Sequence, residues 1–365
     1  MPTGFGREED IKLSKPLAIL ACIALLISGC DETPSQKTDD TWLAEGKTMG
    51  TFYRVKLAGP PQQALIGLKQ KIEQQLAQDN FELSTYQHDT LISQFNRYQG
   101  NTPQAITTGM ADIITLALRI GHLTGGAMDI TVGPLVNLWG FGPDKQPGTM
   151  PAQQQIDEAR RRIGLRHLKV IQTAEGQWLQ KDLPDLYVDL STMGEGYAAD
   201  HLASLMEKQG ITRYLVSVGG AVKVQGMSPG GVPWRVAIQK PTDEKLDAQA
   251  IVDLKGHGIS TSGSYRNYYE MDGKRLSHII NPETGRPIEH KLVSVTVISP
   301  TALEADGWDT GLMVLGTEKA QKLALEQSLA VYMITKTDQG FRSWMSPQFR
   351  SFLLSDNSVQ ALEHP

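Results

Sequence analysis

The chain has 365 residues, 40% of them hydrophobic and 21% charged, a balance that belongs to a folded globular protein rather than a disordered one. That length supplies one large or two ordinary domains. A formal net charge of -5 without any Lys/Arg-rich run argues against a nucleic-acid partner, whose phosphates call for a basic face, and leaves a small molecule or a protein as substrate.

At the N-terminus Arg7, Lys12 and Lys15 precede the apolar run PLAILACIALLISGC, which is too short to span a bilayer comfortably and has the makeup of a signal-peptide core. It ends in Leu26-Ile27-Ser28-Gly29-Cys30, which resembles the lipobox of bacterial lipoproteins. That resemblance implies a signal peptide over 1–29 and a diacylated Cys30 as first mature residue. With Asp31 following, it also implies retention on the periplasmic face of the inner membrane. Cys22 and Cys30 are the two cysteines, so the mature domain can form no disulfide and must be stabilised by its core. Polar, aperiodic DETPSQKTDDT suggests a flexible tether over 30–46, with one compact domain over 47–350 and a C-terminal tail over 351–365.

Thr51 to Leu57 alternates apolar and polar residues, the signature of a half-buried strand. Gln62 to Gln78 then carries apolar residues at helical spacing after a Pro-Pro start, and a short helix is expected over Thr90 to Asn96. A longer helix, Met110 to Leu123, should end at Gly125-Gly126, ahead of the glycine-broken stretch AMDITVGPLVNLWGFGP (127–143). A polar helix over 152–163 and a hairpin turning at Ala174 to Gly176 come next. Residues 186–210 predict an apolar strand, a turn at Gly194 and Gly196, and a helix whose buried stripe is Ala199, Leu202, Leu205 and Met206. Such a turn aims backbone N–H groups and a positive dipole end at one point, which favours phosphate. Strands over 211–225, 234–239 and 292–299 frame a hydroxyl-rich Ser260 to Ser264, an Asp272-Gly273 hairpin and the turn-forming Asn281-Pro282-Glu283-Thr284-Gly285. Strands and helices mixed in this order predict an α+β fold, antiparallel-rich sheets flanked by helices.

In Ala302 to Leu312, Asp306, Asp309 and Thr310 fall at i, i+3 and i+4, so a helix would carry two carboxylates and a hydroxyl on one face. Oxygen donors at that spacing suit a hard cation such as Mg²⁺, while a solvated acidic helix face is the plainer alternative. Other familiar chemistries lack their motifs: there is no G-x-S-x-G, H-E-x-x-H, Walker A or Cys-based metal pattern, and the eight histidines are scattered.

Three stretches occur together: Asp189-Leu-Ser-Thr-Met-Gly-Glu-Gly-Tyr-Ala-Ala-Asp200, His278-Ile-Ile-Asn-Pro-Glu-Thr-Gly285 and Ala305-Asp-Gly-Trp-Asp-Thr-Gly-Leu312. Here the sequence resembles the ApbE family of FAD:protein FMN transferases, from about Met49-Gly50-Thr51 to beyond residue 312. The resemblance implies a T-fold-like domain and a Mg²⁺-dependent transfer of FMN from FAD to a Thr hydroxyl, with AMP leaving. Target subunits would belong to sodium-pumping NADH:quinone reductases (Nqr) and Rnf-type electron-transport complexes. It also implies FAD contacts from Met49, Tyr86, Ala127, Met128, Asp129, Asp189, Glu195 and Ile280. The Thr192 carbonyl would join Asp306, Thr310 and Asp309 around the metal. His278, the side chain here able to exchange a proton near neutral pH, is a candidate acid/base or phosphate contact, with a solvent-facing turn histidine as the alternative. The family's usual Gly-Ile-Ala-Lys-Gly appears here as Thr192-Met-Gly-Glu-Gly196, so Glu195 stands where a Lys is usual. An FAD pyrophosphatase and a non-catalytic flavin-binding lipoprotein are the competing readings.

Overall fold

In the computed structural model, which describes residues 40–143, 147–241, 248–265 and 267–354, the chain enters through a hairpin. Strands β1 (Thr41–Thr48) and β2 (Thr51–Ala58) pair antiparallel along their whole length. The expected tether over 30–46 is thus corrected, since residues 41–46 are strand; the signal segment, Cys30 and residues 31–39 lie outside the described residues. Polar composition hides a period of two, with Ala44 buried and Leu43, Glu45 and Lys47 exposed. Met49 and Gly50 close the hairpin with φ of 48° and 74°, the left-handed pair that a two-residue turn needs to match strand twist.

The single helix expected over 62–78 is instead a 3₁₀ turn, Gln62–Leu65, and a helix α1 (Leu68–Leu83), restarted at Gly67 with φ of 65°. Helix α2 (Leu91–Arg97) is capped by the Thr90 hydroxyl, and after β3 (Gln104–Ile106), α3 (Thr108–Leu123) is capped by Thr107. Helices α4 (Gly133–Leu138) and α5 (Gln153–Arg160) precede the hairpin of β4 (Leu168–Thr173) and β5 (Gly176–Lys181). Helix α6 (Ser191–Lys208) starts earlier than expected. Residues 186–190 are not a strand, and Gly194 and Gly196 lie within the helix rather than in a turn. The Asn96 side chain brackets Val188, accepting from its N–H at 2.7 Å and donating to its carbonyl at 2.9 Å. Lys181 Nζ donates to the Leu186 carbonyl at 3.1 Å. Those side chains satisfy backbone groups that a neighbouring strand would otherwise pair.

The remaining elements are β6 (Tyr214–Val218), β7 (Ala221–Gln225), β8 (Arg235–Gln239), β9 (Ala248–Asp253), β10 (Gly258–Gly263), β11 (Tyr268–Met271), β12 (Lys274–Ser277), β13 (Ile280–Asn281), β14 (Arg286–Pro287) and β15 (Leu292–Ser299). Then come α7 (Ala302–Leu315), α8 (Thr317–Glu326), β16 (Ala330–Thr337) and β17 (Gly340–Met345).

Eight strands form one sheet in the order β1-β2-β6-β7-β10-β15-β16-β17, every neighbour antiparallel. Val55, Leu57, Val216 and Val218 on one face pack under α1 and α6. Farther along, Val295, Val297 and Met333 pack with α3 and α7. The other face buries Ile259, Ile298, Tyr332 and Ile334 beneath the β8–β9 hairpin and Phe349 and Phe352. Phe352 is buried and Leu353 bridges to Val252, so the domain continues past 350 and residues 351–354 are not tail; residues 355–365 lie outside the described residues. The fold is mixed α+β with antiparallel sheets flanked by helices, as expected. Helix α7 runs along β10 and β15 beside α6, which places its acidic face inside the molecule.

Candidate active site

Helix α7 begins where Thr301 accepts the Glu304 N–H at 3.1 Å and the Asp200 carboxylate accepts the N–H groups of Ala302 and Leu303 at 3.0 and 2.9 Å. Four N–H groups at a helix start lack internal partners, and here one is met by the cap and two by α6. Asp200 therefore docks α7 onto α6. Its role was missed from sequence, although Thr192, Gly196 and Asp200 share one helix face at i, i+4 and i+8.

The acidic face of α7 is not solvated: Asp306 is 8% exposed and Asp309 1%. Asp306 Oδ2 accepts the Gly196 N–H at 2.8 Å, and Oδ1 accepts the Ser260 hydroxyl at 3.1 Å. Thr192 Oγ1 donates to Thr310 Oγ1 at 3.0 Å, and Thr310 Oγ1 donates to Asp309 Oδ1 at 3.3 Å. Asp309 Oδ2 is buried with no hydrogen-bond partner among the described residues. Two helices and strand β10 thus converge on two carboxylates.

These groups wall a cavity of about 540 Å³. It brings together Tyr86, Ala127, Asp129, Asp189, Thr192, Glu195, His278, Ile280, Asp306, Asp309 and Thr310, drawn from sites more than two hundred residues apart in the chain. Met49 and Met128 are not in its lining. Met128 points into the core beside α3 and α7, while its neighbours Ala127 and Asp129 line the cavity. Met49 sits in the hairpin turn against the α1–α6 core, and Thr51 lines the cavity in its place. Sequence reasoning also missed Ser260, Asn267 and the Gly219-Gly220 turn, none of which carries a motif of its own.

Burial is the main force raising the pKa of both Asp306 and Asp309; the Glu195 carboxylate adds to it at Asp306, and Asp306 itself adds to it at Asp309. The Gly196 N–H and Ser260 hydroxyl pull the other way at Asp306 without cancelling it. Glu195 Oε2 accepts the Gly220 N–H at 2.6 Å, and a Cβ at Gly219, where φ is 52°, would lie 1.9 Å from its carboxylate oxygen. Asp129 is likewise raised, by burial against hydrogen bonds from the Thr131 N–H and hydroxyl. Asp189 accepts the Ser191 N–H, at the first residue of α6, at 3.0 Å.

His278 Nδ1 lies 2.9 Å from the Asn267 carbonyl oxygen, an acceptor only, which fixes the proton on Nδ1 and leaves the lone pair on Nε2. Burial lowers the His278 pKa, partly opposed by that bond, so the ring is a neutral base near pH 7.

Among the described residues no cluster of three or more His, Cys, Asp or Glu side chains is placed to hold a metal. What the cavity offers is two buried carboxylates, an unpartnered carboxylate oxygen and hydroxyls. An all-oxygen set with few carboxylates matches Mg²⁺, which keeps several positions for water or phosphate.

The sequence matches the ApbE family model over residues 49–333. It is 61% identical over 350 residues to a FAD:protein FMN transferase of Salmonella typhimurium, covering 95% of this chain and all of that one. A Vibrio cholerae FAD:protein FMN transferase is 43% identical over 330 residues, covering 90% of this chain and 96% of its own length. Among solved structures, the flavin transferase ApbE from Vibrio cholerae superposes with a TM-score of 0.80 at 42% identity, covering 86% of this chain and all of that one. The apo form of the Pseudomonas stutzeri flavinyl transferase ApbE superposes with a TM-score of 0.78 at 36% identity, covering 86% and 97%. The chain belongs to the ApbE family.

Proposed function

We propose that the chain is a Mg²⁺-dependent FAD:protein FMN transferase that moves FMN from FAD onto a Thr hydroxyl of acceptor proteins and releases AMP. The observation that carries this reading is the buried Asp306–Asp309 pair with its unpartnered oxygen, set in a cavity that also presents the neutral His278.

The acceptor Thr oxygen attacks the phosphorus on the FMN side of the pyrophosphate. A P–O ester bond forms, the bond to the AMP phosphate breaks, and AMP leaves with the electron pair. His278 Nε2 takes the hydroxyl proton, its ring held by the Asn267 carbonyl. Asp306, Asp309, Thr310 and the Thr192 carbonyl would hold Mg²⁺, with Asp306 oriented by the Gly196 N–H and Ser260. Bound there, Mg²⁺ would offset the charge that builds on the pyrophosphate oxygens as the bond breaks. Tyr86, 62% exposed at the cavity rim, offers a face for an aromatic ring, and Asp129, Asp189 and Glu195 offer acceptors for ribose or adenine.

Acceptors of Nqr and Rnf type fit a chain held at the periplasmic face of the inner membrane through Cys30. Incubation with FAD, Mg²⁺ and such a subunit should raise the acceptor's intact mass by one FMN less water, on a Thr, with one AMP released per adduct. Unmodified acceptor after exhaustive incubation would overturn the reading, and free FMN accumulating in its place would mark hydrolysis.

A further inference from the structure

The outer face of the β1–β2 hairpin combines exposed apolar side chains with an excess of positive charge. Leu43 and Phe52 are 55% and 66% exposed on it, beside exposed Lys47, Arg54 and Lys56 and a single acid, Glu45. Register puts all six on one side: Leu43 faces Lys56, Glu45 faces Arg54 and Lys47 faces Phe52, while the alternate residues turn to the core. Glu45 is bound by Arg54, and Lys47 Nζ lies 5.9 Å from the Phe52 ring centre. The patch keeps an excess of positive charge on a chain whose formal net charge is -5. Farther into the sheet this face is covered by the β8–β9 hairpin, which packs over Leu215 and Val222, so at this edge of the sheet the free part is β1 and β2. Among the described residues β1 has no strand on its outer edge.

We infer that this face of the β1–β2 hairpin rests on an anionic phospholipid bilayer, with Leu43 and Phe52 in the headgroup region and Lys47, Arg54 and Lys56 against lipid phosphates. Position in the chain and charge complementarity select a membrane over a second copy. Thr41 follows Cys30 by only eleven residues, which reach about 40 Å at full extension, and the apolar run 16–28 precedes them. Whatever that run or a lipidated Cys30 holds at a membrane, the hairpin is the first described element to follow it in the chain. Aromatic and aliphatic side chains mixed with Lys and Arg are the makeup of an interfacial contact. A second copy would set the same positive patch against itself.

The consequence reaches the active site. Thr51, at the turn end of the hairpin, lines the cavity, whereas Thr41 lies at the far end, one strand length of about 27 Å away. Thr51 belongs to the set that turns away from the outer face, so a hairpin lying flat holds the cavity on the opposite side of the sheet from the bilayer, at a fixed height above it. The inference uses the anchoring of the N-terminus and is independent of the transfer chemistry.

The test uses the full chain on vesicles with an environment-sensitive fluorescent amino acid at position 43, and at position 325 on α8 as control. Brominated lipids in vesicles with about 30% phosphatidylglycerol should quench position 43 at least about twofold more than in pure phosphatidylcholine, and about 0.5 M salt should abolish the difference. Position 325 should show no such dependence. Lys47→Glu with Lys56→Glu should remove the anionic-lipid effect while the chain still floats with the vesicles. Equal quenching in both lipids, or none while the chain co-floats, overturns the inference, as does failure to co-float. A concentration-dependent shift at position 43 without vesicles overturns it in favour of self-association.

Discussion

Gly196 in α6 and Asp306 in α7 are joined by a 2.8 Å hydrogen bond, and a Cβ on Gly196 would stand 2.5 Å from the Ala302 carbonyl oxygen and 2.8 Å from Asp306 Cβ. The two helices touch here through backbone, so no side chain can yield. Gly196→Ala should force them apart at a cost of about 1–3 kcal/mol and shift Asp306 with the helix. A lower melting temperature and a loss of transfer that saturating FAD does not restore are expected. Gly194→Ala is the control, because a Cβ there meets only Leu83 Cδ1 at 4.0 Å, and Ala favours a helix interior over Gly by about 1 kcal/mol. Equal damage from both variants would show that the close approach at 196 is not what matters.

Asp306 and Asp309 make the metal-free protein weaker as pH rises. Both pKa values are raised, first by burial and then by neighbouring carboxylates. Between the ordinary carboxylate pKa and the raised values, the folded state keeps protons that the unfolded chain releases, so stability falls as pH rises through that window. In chelator, Asp309→Asn should melt above the native protein near pH 7.5 and approach it near pH 5. Mg²⁺ should raise the melting temperature of the native protein and much less that of Asp309→Asn, which should also lose transfer. A native melting temperature flat across that pH range in chelator would contradict the buried pair.

How far the sequence exposed this site depended on where its residues sit. Asp306, Asp309 and Thr310 lie on one regular helix, so spacing alone placed them together. Asp129, Asp189 and His278 came from a family resemblance, since they occupy irregular segments brought into register by bonds such as Asp189 N–H to the Ile130 carbonyl at 2.7 Å. Spacing could not reveal Ser260, whose hydroxyl meets Asp306 across 46 residues. Strand β1 escaped because its outward residues mix apolar Leu43 with charged Glu45 and Lys47 and its inward ones include Gly46, where a Cβ would lie 2.5 Å from the Tyr53 ring. Residues 186–190 misled for the opposite reason. They are apolar and alternating, but their backbone is satisfied by the side chains of Asn96 and Lys181, a long-range solution with no local sign.

His201 and Asp79 hold α6 to α1 away from the cavity. His201 Nδ1 lies 2.7 Å from Asp79 Oδ1, its ring centre lies 4.1 Å from that of Tyr197 with the planes tilted by 51°, and Tyr197 donates to Glu82 at 2.9 Å. Burial lowers the His201 pKa, but the hydrogen bond and charge of Asp79, with Glu82 and Asp200, outweigh it and raise it overall. This contribution is complete below the unfolded value of 6.5 and is lost as pH rises through the raised folded value. His201→Ala leaves Asp79 without that partner and should cost about 1–3 kcal/mol near pH 6. Denaturant titrations should show the gap to the native protein narrowing at higher pH; a gap independent of pH would assign His201 to packing alone.

His278 should set the acid limb of the transfer reaction. Its Nδ1 proton is committed to the Asn267 carbonyl at 2.9 Å, which leaves Nε2 as the proton acceptor. Burial lowers its pKa below the ordinary 6.5, so the neutral ring persists as the solution is made mildly acidic and the rate should hold before falling. His278→Asn can keep the bond to Asn267 but cannot take a proton at Nε2. It is expected to lower kcat by about 10²–10⁴ with little change in KM for FAD, and to abolish the acid limb. Should the variant keep that limb with reduced kcat, the titrating base would be another group and His278 would serve only to position the phosphate.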